Sequence, residues 1–230
     1  MKNELLRQKR IHGLEEVITE KEISLLEQNT PIQKIIGFIN FEDLQINVNH
    51  EVLIPRYETE EVVHFALKYI SQKSKVLDLC CGSGYIGLTI KHKTNAEVTL
   101  SDISDEAILQ TKENAEMNNL DVEIIKSDLF ENISSKYDLI ISNPPYIPLS
   151  NKLSDSVIKH EPHLALFAGE DGNDLYKRII NKAKQFLNPE GLLIFEISPD
   201  NLDYIKSMGF EILKDINGKE RIAFIKASAL

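Results

Sequence analysis

Asn143-Pro144-Pro145-Tyr146 follows the apolar run Tyr137 to Ile141 after the single residue Ser142, and its residue types suit one kind of chemistry. Two prolines fix φ and carry no N–H, so the carbonyls here are free of helix bonding and can be held facing a ligand. A planar amide nitrogen is a poor nucleophile because its lone pair is delocalised toward the carbonyl. If the Asn143 side-chain oxygen and the Pro144 carbonyl each accept one N–H of an NH₂ group, the nitrogen is held with its lone pair aimed at an electrophilic carbon. The growing positive charge is then stabilised by two dipoles, and no base is needed before attack. Tyr146 would wall in the flat group. The competing reading is a purely structural turn.

Three further stretches read as a nucleotide-like cofactor site. Val76 to Leu79 is an apolar strand running into Cys80-Cys81-Gly82-Ser83-Gly84 and then a helix. Glycines at such a turn let backbone approach a ligand and expose N–H groups at a helix N-terminus, although tight strand-to-helix connections also use glycine for steric reasons alone. A second strand, Val98 to Ser101, ends in Asp102, 24 residues after Asp78. A carboxylate at the tip of the neighbouring strand can grip a ribose diol; its other reading is a helix cap near Ser104. Asp78, inside its apolar strand, reads as a buried acid bonded to nearby backbone that organises the loop. Ser127-Asp128-Leu129-Phe130 ends a third strand with polar groups followed by apolar ones, suited to an adenine, or else Asp128 merely terminates the strand.

The elements that must position these groups alternate along the chain. Strand-like runs at 76–80, 97–100, 122–125, 137–141 and 192–197 are separated by helical patterns near Ile86, Ser104, Asn173 and Asn201. This predicts an α/β fold, a parallel sheet with helices on both faces. Phe210 to Leu213 and Arg221 to Ile225 flank the turn dipeptide Asn217-Gly218, which predicts a closing antiparallel pair. Upstream, apolar spacing predicts two short helices ending before Pro31, a β-hairpin around Glu42-Asp43, and a helix capped by Thr59. Ser71 to Ser74 is the one linker candidate.

Composition narrows the function classes. With 26 Lys+Arg against 36 Asp+Glu the 230-residue chain carries a formal charge of −10, which argues against direct nucleic-acid binding through phosphate neutralisation. Apolar runs stop well short of the ~20 residues of a membrane span, and the N-terminus has no apolar signal core, so the expectation is a soluble, cytoplasmic protein without membrane contact. The two cysteines are adjacent, which is no disulfide framework, and the six histidines show no zinc spacing. No metal is expected.

Taken together, the glycine turn, Asp102 and Asn143 to Tyr146 resemble the class I S-adenosylmethionine-dependent methyltransferases that modify planar nitrogen. The tetrapeptide is shared by protein glutamine-N5, DNA adenine-N6 and some RNA guanine-N2 enzymes. Pro31 to Gly37, Val52 to Glu60, and Glu161 to Leu166 with Gly169-Glu170-Asp171-Gly172 resemble the peptide chain release factor glutamine methyltransferases, from about residue 31 to the C-terminus. That resemblance implies a Rossmann-like seven-stranded sheet with its last strands antiparallel. It also implies S-adenosylmethionine as cofactor, and as substrate the glutamine of the Gly-Gly-Gln motif of class 1 release factors. A ribosomal-protein glutamine or a nucleic-acid base is the alternative target. Carried over by position, cofactor contacts fall on Cys80, Cys81, Gly82, Ser83, Gly84, Asp102, Leu129 beside Asp128, and Asn143, with Asn143, Pro144, Pro145 and Tyr146 meeting the glutamine. Asp78 belongs to the same cofactor-binding set. The expected organisation is a short helical segment at 1–36, a hairpin and linking helix at 37–71, and a catalytic domain at 72–230. The chain departs from the family at Cys80 and Ser198, where glycine is usual, and at Tyr57, where proline is usual; thirty residues precede Pro31, fewer than the family's helical substrate-recognition domain holds. The charged loop at Arg56 and Glu58 reads either as a solvated surface or as Pro55 and Arg56 lying over the cofactor end with Glu58 or Glu60 shaping it, and Glu161 to Gly172 either as a plain surface loop or as shaping the substrate entrance.

Overall fold

The structure, a computed structural model, describes residues 1–230. Its first 36 residues form three helices rather than two: α1 (Lys2–Ile11), α2 (Glu20–Glu27) and α3 (Ile32–Ile36). The third begins directly after Pro31, because a proline costs nothing at a helix start, where its missing N–H would be unpaired anyway. α2 opens on a capping box, Thr19 accepting from the Glu22 N–H and the Glu22 carboxylate from the Thr19 N–H.

The hairpin forms as its alternation predicts, β1 (Phe38–Phe41) pairing β2 (Leu44–Asn47). Glu42 and Asp43 make its two-residue turn with φ of +48° and +68°, the conformation whose twist matches the flanking strands. Glu42 then bonds Lys93 at 2.8 Å and His64 at 2.6 Å, and these partners pull its carboxyl down to about 2. The next helix, α4 (Glu58–Leu67), starts earlier than expected. Tyr57 stands at its cap position, and Thr59 lies inside the first turn with its hydroxyl facing inward rather than capping. The turn at Arg56-Tyr57, whose carbonyls accept from the Thr59 and Glu60 N–H groups, has already nucleated the helix.

Alternation follows through β3 (Lys75–Leu79), α5 (Tyr85–Thr94), β4 (Glu97–Asp102), α6 (Asp105–Met117), β5 (Glu123–Lys126), β6 (Tyr137–Ser142), α7 (Asp155–His160), α8 (Asp174–Phe186), β7 (Leu187–Glu196), α9 (Leu202–Ser207), β8 (Glu211–Lys214) and β9 (Glu220–Lys226). Seven strands form one sheet in the order β5-β4-β3-β6-β7-β9-β8, parallel except that β9 runs antiparallel to both neighbours. Strand residues alternate between two cores. Val76, Leu139, Ile141 and Ile194 pack with the hairpin, α4 and α5; Leu77, Leu79, Ile140 and Phe195 pack with α8 and α9. Hairpin and sheet therefore share one hydrophobic layer. No helix is long and apolar enough to cross a membrane.

A ladder of carboxamides fastens the hairpin to α6. Asn118, Asn114 and Gln110 lie four residues apart and meet the backbone of Gln45, Asn47 and His50; Asn114 and Asn118 each engage both the N–H and the carbonyl of their residue. For the first two rungs the match is metric: four helical residues rise about 6 Å and two strand residues about 6.7 Å, so side-chain amides can imitate a neighbouring strand, while His50 follows Asn47 by three residues, beyond the end of β2.

Candidate active site

Parallel pairing of β3 with β6 sets Leu79 opposite Ser142, so Cys80 and Asn143 leave adjacent strands at the same level of the sheet. This is the carboxyl rim, where open α/β sheets bind ligands. Cys80 adopts φ +59°, a left-handed conformation that explains why glycine suits this position. The turn beyond it is tied from outside. Cys81 N–H donates to the Ser101 carbonyl at 3.0 Å and Gly82 N–H to Asp102 Oδ2 at 3.0 Å, while Thr111 and Asn114 of α6 donate to the Gly82 and Ser83 carbonyls. Gly84 has a steric reason: at φ +82°, a Cβ there would meet the Thr111 methyl at 2.9 Å.

Asp102 does two things at once. Its Oδ1 accepts from the Ser104 N–H at 2.9 Å and its Oδ2 from Gly82, so it braces the turn against the start of α6, whose cap is the Ser104 hydroxyl. Burial pushes its pKa up, against the pull of those N–H groups. Asp78 sits behind the turn, fully buried, with Oδ2 accepting from the Gly87 N–H at 2.8 Å and Oδ1 without a partner. Burial pushes its carboxyl up to about 8. It ties β3 to α5, as a loop organiser would.

These groups surround a cleft of about 710 Å³, measured out to its open mouth. Cys80, Cys81, Gly82, Ser83, Asp102, Asn143 and Pro145 line it. Asp78, Gly84, Asp128, Leu129, Pro144 and Tyr146 do not. Asp128 pairs with Arg178 at 2.8 Å, and Leu129 is buried at φ +52° with its carbonyl accepting from Ser127. Tyr146 packs against the α8-side core, and burial pushes its phenol up to about 12.

The roof comes from two loops far apart in sequence. Val52, Leu53 and Pro55 meet Pro162, Leu164 and Ala165 across the cleft. Arg56 donates to Glu161 at 2.6 Å, and the second Glu161 oxygen accepts from the Ile54 N–H at 3.3 Å, with the Glu161 side chain only 1% exposed. A buried carboxylate so paired is costly to separate from its guanidinium, so these loops are locked.

Sequence reasoning passed over three groups here. Thr59 and Tyr85 line the cleft with buried hydroxyls that lack partners, and Glu196, 1% exposed, has one oxygen without a partner. Because Phe195 pairs with Ser142, Glu196 stands level with Asn143 on the adjacent strand. Burial pushes its carboxyl up to about 6. Nothing local to those residues announces a common site.

The donor set suits S-adenosylmethionine: an acid beside the turn for a diol, hydroxyls awaiting partners, and apolar wall from Val52, Ile86 and Ala107. The fold is that of known methyltransferases. A Pyrococcus furiosus methyltransferase aligns with a TM-score of 0.62 at 18% identity, over 90% of this chain and 98% of that one. A Thermus thermophilus 16S rRNA N2 G1207 methyltransferase, solved with AdoMet and guanosine, aligns at 0.60 and 18%, over 82% and 49%. At such identities the likeness speaks to fold alone. The methyltransferase small domain family matches residues 61–161. Sheet order, turn and cleft thus define a Rossmann-like class I methyltransferase, an enzyme that uses S-adenosylmethionine.

Relatives narrow the class. Proteins named release factor glutamine methyltransferase match from Lactococcus lactis (38% identity over 93% of this chain and 86% of that one), Borreliella burgdorferi (38%, 93% and 80%) and Streptococcus pneumoniae (42%, 80% and 70%). The chain belongs to the release factor glutamine methyltransferase family.

Proposed function

We propose that this enzyme methylates the side-chain amide nitrogen of the glutamine in the Gly-Gly-Gln motif of a class 1 peptide chain release factor, in the cytoplasm. The observation that carries the reading is the emergence of Asn143 beside the Cys80–Ser83 turn, on one cleft with Asp102. Bound S-adenosylmethionine supplies an electrophilic sulfonium methyl. Asp102 would accept from the ribose hydroxyls and the turn from Cys80 to Gly84 would hold the rest of the cofactor, with Asp128 and Leu129, outside the cleft lining, serving the adenine end. Asn143 Oδ1 and the Pro144 carbonyl accept the two N–H groups of the glutamine amide, orient its lone pair and stabilise the charge that grows on nitrogen. Pro145 and Tyr146 hold the flat amide. The surplus proton of the methylated nitrogen would leave for water.

The formal charge of −10 supports a protein target over a nucleic acid. We assign the chemistry to residues 72–230 under the roof that Val52, Leu53 and Pro55 supply, with 1–36 and the rest of 37–71 meeting the substrate protein. Incubating the chain with S-adenosylmethionine and purified release factor, ribosomal protein or DNA tests the reading by mass spectrometry. One added methyl on the release-factor glutamine is expected; methylation of the ribosomal protein or DNA in its place refutes it.

A further inference from the structure

Asn143 to Tyr146 cannot orient itself. Pro144 and Pro145 have no N–H, so the middle of the segment can donate to nothing, and φ is fixed there while the carbonyl directions still depend on ψ. Its aim must come from its two ends. The upstream end is held by the sheet and by Ser142 Oγ, which donates to the Leu79 carbonyl at 2.7 Å. Downstream, Ile147 N–H donates to the Leu166 carbonyl and Ala168 N–H to the Ile147 carbonyl. Between them, the one side chain that bonds residues 143–146 is Asn201.

Asn201 is fully buried, and its Nδ2 lies 3.3 Å from the Tyr146 carbonyl, 3.1 Å from the Gly172 carbonyl and 3.0 Å from Asn173 Oδ1. The residue stands at the cap position of α9, where an asparagine oxygen ordinarily accepts a helix N–H. Here it caps nothing, and its Oδ1 has no partner at all. Burying an unsatisfied acceptor is unfavourable, so what this side chain contributes lies in its NH₂ end. The site is also tight from the other side. Gly172 takes φ +73°, and a Cβ there would sit 2.3 Å from the Tyr146 carbonyl oxygen and 3.1 Å from Asn201 Nδ2.

We propose that Asn201 is a positioning residue whose buried NH₂ ties the Tyr146 carbonyl to the Gly172-Asn173 turn and thereby aims the Asn143 and Pro144 acceptors. The assignment rests on the reaction proposed above. Asn201 does not line the cleft; it acts on the direction of the backbone where the segment leaves the prolines.

Asn201→Leu keeps the shape and loses the donor, and Gly172→Ala presses on the same carbonyl with Asn201 intact. Both are assayed with the full chain and release factor, with turnover counted per S-adenosylmethionine-binding site so that unfolded protein is excluded. In both variants kcat is expected to fall about tenfold to hundredfold while KM for the release factor and Kd for S-adenosylmethionine stay within about twofold. Turnover per binding site equal to that of the unmodified chain in both variants overturns the assignment, as does a loss confined to KM. No methyl transfer by the unmodified chain itself overturns the proposed function, and this assignment with it.

Discussion

Asp102→Asn keeps the volume of the side chain and removes its charge, at a position where both carboxylate oxygens already accept backbone N–H groups. An asparagine oxygen can take one of those bonds, and its NH₂ then confronts the other donor. One buried N–H, of Gly82 or Ser104, is left unpaired, which costs about 1–3 kcal/mol. In a chain of this length that lowers Tm by roughly 2–12 °C without any cofactor present. The cofactor adds a second, separable effect, because a ribose hydroxyl then meets a neutral acceptor where a charged one stood. Losing a charge-assisted bond of about 1–3 kcal/mol raises Kd for S-adenosylmethionine roughly 5- to 150-fold. Thermal unfolding of the cofactor-free protein reads the first effect, and calorimetry well below both melting temperatures reads the second. An unchanged Tm refutes the brace between turn and α6; a lower Tm with an unchanged Kd refutes the ribose role while leaving the brace intact.

Asn143→Ala is expected to remove most turnover, on the order of 10²-fold, with Kd for S-adenosylmethionine nearly unchanged; equal losses in both would make Asn143 chiefly a cofactor ligand. Glu196, held near 6 by burial against 4.5 for a free glutamate, binds its proton more tightly when folded, so the protein loses about 2 kcal/mol of stability as pH rises from 4.5 through 6. Glu196→Gln removes that loss, and denaturant midpoints measured from pH 4 to pH 8 should show a flatter profile for the variant; parallel profiles would contradict it. Cys80→Gly relieves a left-handed conformation worth about 1–2 kcal/mol but gains unfolded-state entropy and gives up a half-buried thiol, each about 0.5–1 kcal/mol. Its stability is therefore expected within ~1 kcal/mol of the parent in urea, whereas Cys80→Val, β-branched at the same φ, is expected to lose clearly more.

Much of the scaffold was legible because buried strands and helices leave local periods. Val76 to Cys80, Tyr137 to Ile141 and Leu192 to Ile197 became β3, β6 and β7 within a residue or two at most ends, apart from an earlier start to β7, and the alternation around Glu42-Asp43 became a hairpin. Asn143 to Tyr146 was legible for a different reason: two prolines after a strand constrain the backbone wherever they occur. The third N-terminal helix and the inward turn of Thr59 were missed, since each depends on how a neighbouring proline or turn starts the helix rather than on apolar spacing.

Period and backbone chemistry are properties of neighbours in the chain, so the amino-acid order was enough to mark out the strands and the turns that follow them. Partners of buried polar groups are not such a property. Glu161 finds Arg56 across 105 residues, Asn114 finds Asn47 across 67, and Asn201 finds the Tyr146 carbonyl across 55. In an unfolded chain each of these side chains would simply be hydrated. Burial is what makes an unpaired N–H or carboxylate costly, and burial exists only once the layers have packed; the roof, the hairpin's fastening and the hold on Tyr146 were therefore settled by folding and not by any local pattern.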